Sequence, residues 1–199
     1  MVKLLGMWLA TSRYEIEQAP AGLGFVHDFL NTKPRGRSVD EELLGSVESA
    51  QRWLEAALGS WATASKKRVT APKLSSADLK ELRHLRASLE QQRANPGGAA
   101  PRAAQPLLDL PLTAQLKADG SALLLPAGAG FRFVGSLIVL EAVQAQAQDS
   151  WRRLKICRNE RCTCAFYDRS KNNSAVWHSA TVCGNAVNLR ASRARRRDE

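Results

Sequence analysis

The chain has 199 residues, 44% of them hydrophobic, and a formal net charge of +10. That length allows one domain, or a domain with a small appendage, and enough apolar residues for a real core. No run approaches the ~18 apolar residues of a membrane span.

The charge is unevenly placed. Residues 151–199 carry 12 Lys and Arg against 4 Asp and Glu, whereas residues 1–150 carry 17 against 15. A near-neutral body with a strongly basic end points to a polyanion partner, nucleic acid most simply, with a solvated charged tail as the plainer alternative.

At the N-terminus, Lys3 precedes a short apolar run that ends at Ala10, and Arg13, Glu15 and Glu17 follow closely. The run is minimal for a signal peptide and lacks a cleavage pattern. The expected location is therefore the cytoplasm, with Leu4 to Leu9 joining the core or an edge strand. Residues 22–32 place Phe25 and Phe29, and Val26 and Leu30, at helical spacing, ended by Asn31 and a Pro34 to Arg37 turn. His27, among apolar neighbours, reads as a hydrogen-bonded packing residue rather than a ligand or base.

Two longer helices are expected next. The first is capped by Asp40 and runs to about Leu58, with Leu43, Leu44, Val47, Trp53, Leu54 and Leu58 on its apolar face. The second opens at Ser75-x-x-Asp78, a variant of the capping box, carries Leu79, Leu82, Leu85 and Leu89, and stops at Asn95-Pro96-Gly97-Gly98. His84, between Arg83 and Arg86, reads as exposed. The Ala, Gly and Pro-rich stretch up to Gln105 reads as a surface loop. Alternation from Leu112 to Leu116, an Asp119-Gly120 turn and a return at Ala122 to Leu125 predict a β-hairpin. A third long helix is expected from Phe131 to about Arg153, with the following segment packed on its end.

That final segment holds every cysteine of the chain, Cys157, Cys162, Cys164 and Cys183, together with His178. Cys157-x4-Cys162 and His178-x4-Cys183 form two short knuckles separated by a fifteen-residue loop. Paired thiolate and imidazole donors suit a tetrahedral structural zinc, one ion with no open position for chemistry. Buried or disulfide-linked cysteines are the alternative, the latter disfavoured in a reducing compartment. Cys164 could stand in for His178 as third ligand, but it would leave the site lopsided and His178 without a role, so it reads as a packing residue or a weak neighbour of the ligands. Beyond Gly184 a basic helix is expected, with Arg190, Arg193 and Arg197 on one stripe widened by Arg195 and Arg196. Phosphate contacts are expected there and at Arg169 and Lys171, with Asn185 as a candidate base reader.

These residues carry a resemblance. Cys157-x4-Cys162, the run Phe166 to Ser170, Asn172 or Asn173, Trp177-x-Ser179, Cys183-Gly184-Asn185 and the Arg-rich end resemble the CGNR zinc finger of bacterial proteins described as stress-induced transcriptional regulators. Residues 22–32 resemble the signature that opens the ABATE domain of the same proteins. Three positions depart from the pattern: His178 stands where the family usually has Cys, Ala186 replaces the name-giving Arg, and Cys164 replaces an aromatic residue. The resemblance implies a DNA-binding regulator of transcription in the stress response, located on the nucleoid when bound.

The resulting expectation is a mainly α fold with a small β-hairpin (α+β), plus a C-terminal zinc finger. The division expected is an ABATE-like helical domain over 1–153 and a finger with its basic helix over 154–199. The cofactor expected is one structural Zn2+, held by Cys157, Cys162, His178 and Cys183. The partner expected is double-stranded DNA, with a homodimer and an unidentified ligand of the N-terminal domain as open classes and no membrane partner. The sequence shows no phosphate-binding glycine loop, nucleophile elbow or hydrolytic zinc motif, so a non-enzyme is expected. An RNA-binding finger and a purely structural or protein-interaction finger are the competing readings.

Overall fold

The computed structural model describes residues 8–34, 41–94 and 108–197. Their order is α1 (Leu9–Ser12), α2 (Leu23–Leu30), α3 (Val47–Ser65), α4 (Ser76–Ala94), β1 (Leu112–Leu116), β2 (Ala122–Pro126), α5 (Gly130–Ala147), a 3-10 turn (Trp151–Arg153), β3 (Leu154–Ile156), β4 (Ala165–Tyr167), a π turn (Ala180–Gly184) and α6 (Asn185–Arg195). The fold is α+β, mainly helical with two small antiparallel hairpins. No helix among the described residues is long and apolar enough to cross a membrane.

Helices α2 to α5 bury their leucines and aromatics around one core. Phe25 and Phe29 of α2 both pack on Trp53 of α3, each with 5.8 Å between ring centroids. A buried indole needs an acceptor for its N–H, and α3 meets that need twice. Trp53 Nε1 donates to Asp28 Oδ2 at 2.9 Å and Trp61 Nε1 to Glu141 Oε1 at 2.7 Å. Burial pushes the pKa of both carboxyls up. A side chain on Gly22 would collide with the Glu141 carboxylate, which is why the chain turns into α2 on a glycine.

Several boundaries differ from expectation. Helix α3 begins at Val47, where Ser46 and Ser49 form a reciprocal cap, so Leu43 and Leu44 lie in the turn before it. Asp40, the expected cap, lies outside the described residues. The helix also runs past Leu58 to Ser65, because Trp61 continues its buried face. The expected cap of α4 is present: Ser75 N–H donates to Asp78 Oδ2 at 2.8 Å and Asp78 N–H to Ser75 Oγ at 3.2 Å. Residues 4–7 and the Gly97 to Gln105 loop lie outside the described residues, while Leu9 opens a helical turn rather than a strand. The hairpin forms with Leu112 opposite Pro126 and Leu116 opposite Ala122.

Helix α5 ends at Ala147, short of Arg153. Asp149 adopts a left-handed conformation (φ 54), and Ser150 N–H closes the helix on Ala145 O at 2.8 Å. The finger therefore does not continue α5. Its strands β3 and β4 lie instead against α4 and α2, and Leu154, Ile156 and Ala165 belong to the main core.

The junction is polar at its centre. Asn31, at the end of α2, donates through Nδ2 to Ala165 O (3.2 Å) and accepts from Ala165 N–H at Oδ1 (3.1 Å). His27 accepts from Ala19 N–H at Nδ1 (3.1 Å), which puts the ring proton on Nε2, 3.0 Å from the same carbonyl. Both side chains are fully buried, so His27 is the hydrogen-bonded packing residue expected. His84 is exposed.

Candidate metal centre and nucleic-acid interface

The β3–β4 hairpin builds the first knuckle. Strand pairing carries Ile156 opposite Ala165, and Cys157 N–H donates to Cys164 O at 2.7 Å. Asn159 then folds the tip, its carbonyl accepting from Cys162 N–H (2.7 Å) and Thr163 N–H (3.1 Å). The second knuckle is the π turn, capped by Ser179, whose hydroxyl accepts from Val182 N–H at 3.2 Å. Trp177 packs closely on Gly184: a Cβ there would sit 3.0 Å from its ring, tighter than side chains ordinarily tolerate.

These turns bring Cys157, Cys162, His178 and Cys183 together, with all four donor atoms within 4.8 Å of one another. His178 Nδ1 lies 3.5 Å from Cys162 Sγ and 3.6 Å from Cys183 Sγ. With Zn–S near 2.3 Å and Zn–N near 2.0 Å, the S···N edge of a tetrahedron is about 3.5 Å. The donor set therefore fits one structural zinc, bound through His Nδ1.

Charge supports the same conclusion. Hydrogen bonds from Cys162 and His178 hold the Cys157 thiol down to about 3, against the opposing effect of burial. Its proximity and burial push Cys162 up, and burial pushes Cys183 up. Without a cation the cluster favours a single thiolate; a dication is what lets three coexist. Cys164 is not among the four donors and packs with Phe166, Cys157 and Cys183 in one small apolar cluster.

A second layer of contacts surrounds the ligands. Asn159 Nδ2 donates to Cys183 Sγ at 3.1 Å, and Asn159 Oδ1 accepts from Arg190 of α6 at 2.7 Å. Asp168 organises the loop between the ligand pairs, accepting from Lys155 Nζ (2.6 Å), Ser170 N–H (2.8 Å) and Ala175 N–H (2.9 Å). Burial alone would raise its pKa, but Lys155 and Ser170 hold it down to about 2. Arg153 donates to the carbonyls of Asp168 and Ser170 at 3.0 and 2.9 Å.

The expected nucleic-acid contacts fall into two groups. Arg193, Arg195, Arg196 and Arg197 are exposed at the far end of α6, Asn185 is exposed at its start, and Lys171 is exposed in the loop. Arg190 is engaged by Asn159, and Arg169 pairs with Glu17 at 2.9 Å while donating to Gln18 O at 2.6 Å. Asn159 has no signature in sequence beyond its place inside the first knuckle. Nor do Lys155 and Arg153 announce that their charge turns inward.

Two family models match the chain. One, ABATE, described as "Putative stress-induced transcription regulator", matches residues 24–150, and the other, the CGNR zinc finger, matches residues 153–196. No curated protein matches it.

Proposed function

The chain belongs to the ABATE family and carries a CGNR zinc finger at its C-terminal end, and from that premise we propose that it is a non-enzymatic, DNA-binding transcription regulator. The observation that carries this reading is the placement of four exposed arginines, Arg193 and Arg195 in the last turn of α6 and Arg196 and Arg197 directly after it, at the far end of a helix rooted in the metal cluster. Zinc supplies rigidity here, not reactivity. Ligation of His178 and Cys183 fixes the π turn, the π turn fixes the start of α6, and α6 holds out the arginines toward phosphates. The ABATE domain over 1–153 is the body that holds the finger over 154–199, and control of transcription in the stress response is the role this arrangement suits.

The test is binding of the zinc-loaded full chain to a labelled random duplex as salt is raised. Four arginines at roughly −0.9 each give a log–log slope near −3.6. Chelation should abolish that binding, and single-stranded RNA at matched salt should compete poorly. Full-strength binding by the chelated protein, or none by the zinc form, would overturn the reading.

A second reading, the finger as a structural staple, is favoured by the grip of Asn31 and His27 on Ala165. It predicts no salt-sensitive binding to any nucleic acid.

A further inference from the structure

Helix α6 divides its residues by direction. At roughly 100° per residue, Arg190 falls on the side of Ala186 and Val187. Those two are half-exposed, and the Arg190 guanidinium is held by Asn159. This side faces the knuckle. The opposite side gathers Asn185, Asn188, Leu189, Ser192 and Arg196 within an arc of roughly 100°.

That outer face combines exposed amides with an exposed apolar side chain. Asn185 and Asn188 are exposed, and among the described residues neither side-chain amide hydrogen-bonds to the protein. Leu189 is 52% exposed and Val182, in the turn leading into α6, is 65% exposed. Arg193 borders the arc on one side and Arg195 on the other, each roughly 80° from the direction of Asn185. The two amides and Leu189 thus share this face with Ser192 and, toward the C-terminal end, Arg196, with a guanidinium on each flank.

Resting on the DNA-binding reading above, we propose that Asn185, Asn188 and Leu189 read A·T base pairs from the major groove while Arg193 and Arg195 straddle it. A helix about 10–12 Å across fits a groove about 12 Å wide, whose two walls are phosphates. The flanking arginines meet those walls, and the central face meets the base edges. An Asn amide matches adenine N6 and N7 with one donor and one acceptor, and an apolar side chain suits the thymine methyl. Asn185 and Asn188 are about 4.5 Å apart along the helix axis, close to the roughly 3.4 Å step between base pairs. They therefore fall on neighbouring pairs. Arg190 is a positioning residue in this arrangement, tying the helix to the metal cluster from behind.

The test starts from sites selected out of a random duplex library by the zinc-loaded full chain. The selected sites should contain neighbouring A·T pairs. Replacing a selected adenine by 7-deazaadenine, which lacks the N7 acceptor, should weaken binding roughly 5- to 100-fold. Asn188→Ala or Asn185→Ala should cause a similar loss on the selected site, and one of them should show no further loss on the modified duplex. The salt slope should stay unchanged, because no phosphate contact is removed. Zinc content measured on each variant confirms that the finger is folded. Salt-dependent binding without selectivity, or selectivity untouched by both asparagine changes and by 7-deazaadenine, overturns this proposal and leaves the DNA-binding reading standing. Absence of binding to any duplex by zinc-loaded protein overturns both.

Discussion

Arg190 and Asn159, thirty-one positions apart, are joined by a hydrogen bond of 2.7 Å, and the other end of the same amide donates to Cys183 Sγ at 3.1 Å. Three thiolates around a dication leave one negative charge on the centre. The guanidinium and the amide N–H lie where they offset it. Through this link a metal ligand and the basic helix share one side chain.

Asn159→Ala should therefore weaken zinc binding by about 10-fold or more, the usual cost of removing a partner that orients a ligand. Titration against a competing chelator measures it. Arg190→Ala should lower zinc affinity less and leave the salt slope of the proposed DNA binding unchanged, since its guanidinium is already engaged. Arg193→Ala with Arg197→Ala should flatten that slope by about two with zinc content unaltered. A slope change for Arg190→Ala equal to that of an exposed arginine would contradict this division.

The ligand set predicts three metal contents. His178→Cys should retain one zinc per chain, because a thiolate can take the place of Nδ1. His178→Ala should lose or weaken it. Cys164→Ala should keep the metal and cost about 1 kcal/mol of stability through lost packing, since its thiol lies in the apolar cluster and is not among the four donors. Elemental analysis beside thermal unfolding separates the three, and zinc loss on Cys164→Ala alone would exchange the roles of the two residues.

Asp168 makes a prediction about pH. Its carboxyl is held down to about 2 in the folded chain, against an ordinary value of 3.8. The unfolded chain therefore takes up the proton first, so the contribution of this group is complete above 3.8 and is lost as pH falls through about 2. The stability difference between the parent and Asp168→Asn should thus be flat from pH 7 down to 5. Its size should be about 3 kcal/mol, because the change removes the carboxylate charge that pairs with the Lys155 ammonium, whose side chain is 16% exposed, and leaves it the carbonyls of Asn173 and Ala175. Denaturant unfolding at several pH values measures it. A difference that vanishes already at pH 6 would show that the pair contributes nothing there.

Asn31→Ala should loosen the finger from the helical body without removing the metal. It leaves the buried N–H of Ala165 without its acceptor, at a cost of about 2 kcal/mol. Hydrogen exchange should speed up over residues 154–167 while zinc content stays at one. Unchanged protection in that stretch would mean that apolar packing alone holds the junction.

What the sequence made legible follows its chemistry. The four ligands stood out because Cys and His are scarce and their spacing is short. Helix α4 was legible at its start because Ser75 and Asp78 satisfy each other within a single turn. The start of α3 was obscured because Leu43 and Leu44 continue its apolar spacing while Ser46 ends it. The end of α5 was obscured because the left-handed residue is Asp149, not a glycine. Strands β3 and β4, three residues each, are too short for alternation to register. Asn159 was missed because its two partners, Cys183 and Arg190, are distant in the chain and meet only after folding.

The grip of Asn31 and His27 on Ala165 has a thermodynamic corollary. Ala165 follows Cys164, whose carbonyl receives the Cys157 amide, so the strand that α2 holds is the strand that shapes the first knuckle. Two sites that bias one structural element must bias each other equally. Zinc that orders the knuckle stabilises the seat of α2, and anything that shifts α2 changes the affinity for zinc by the same factor. Metal loss should then register as a lowered melting temperature of helices α2 to α5, far from any ligand, rather than as the quiet unfolding of a detachable tail.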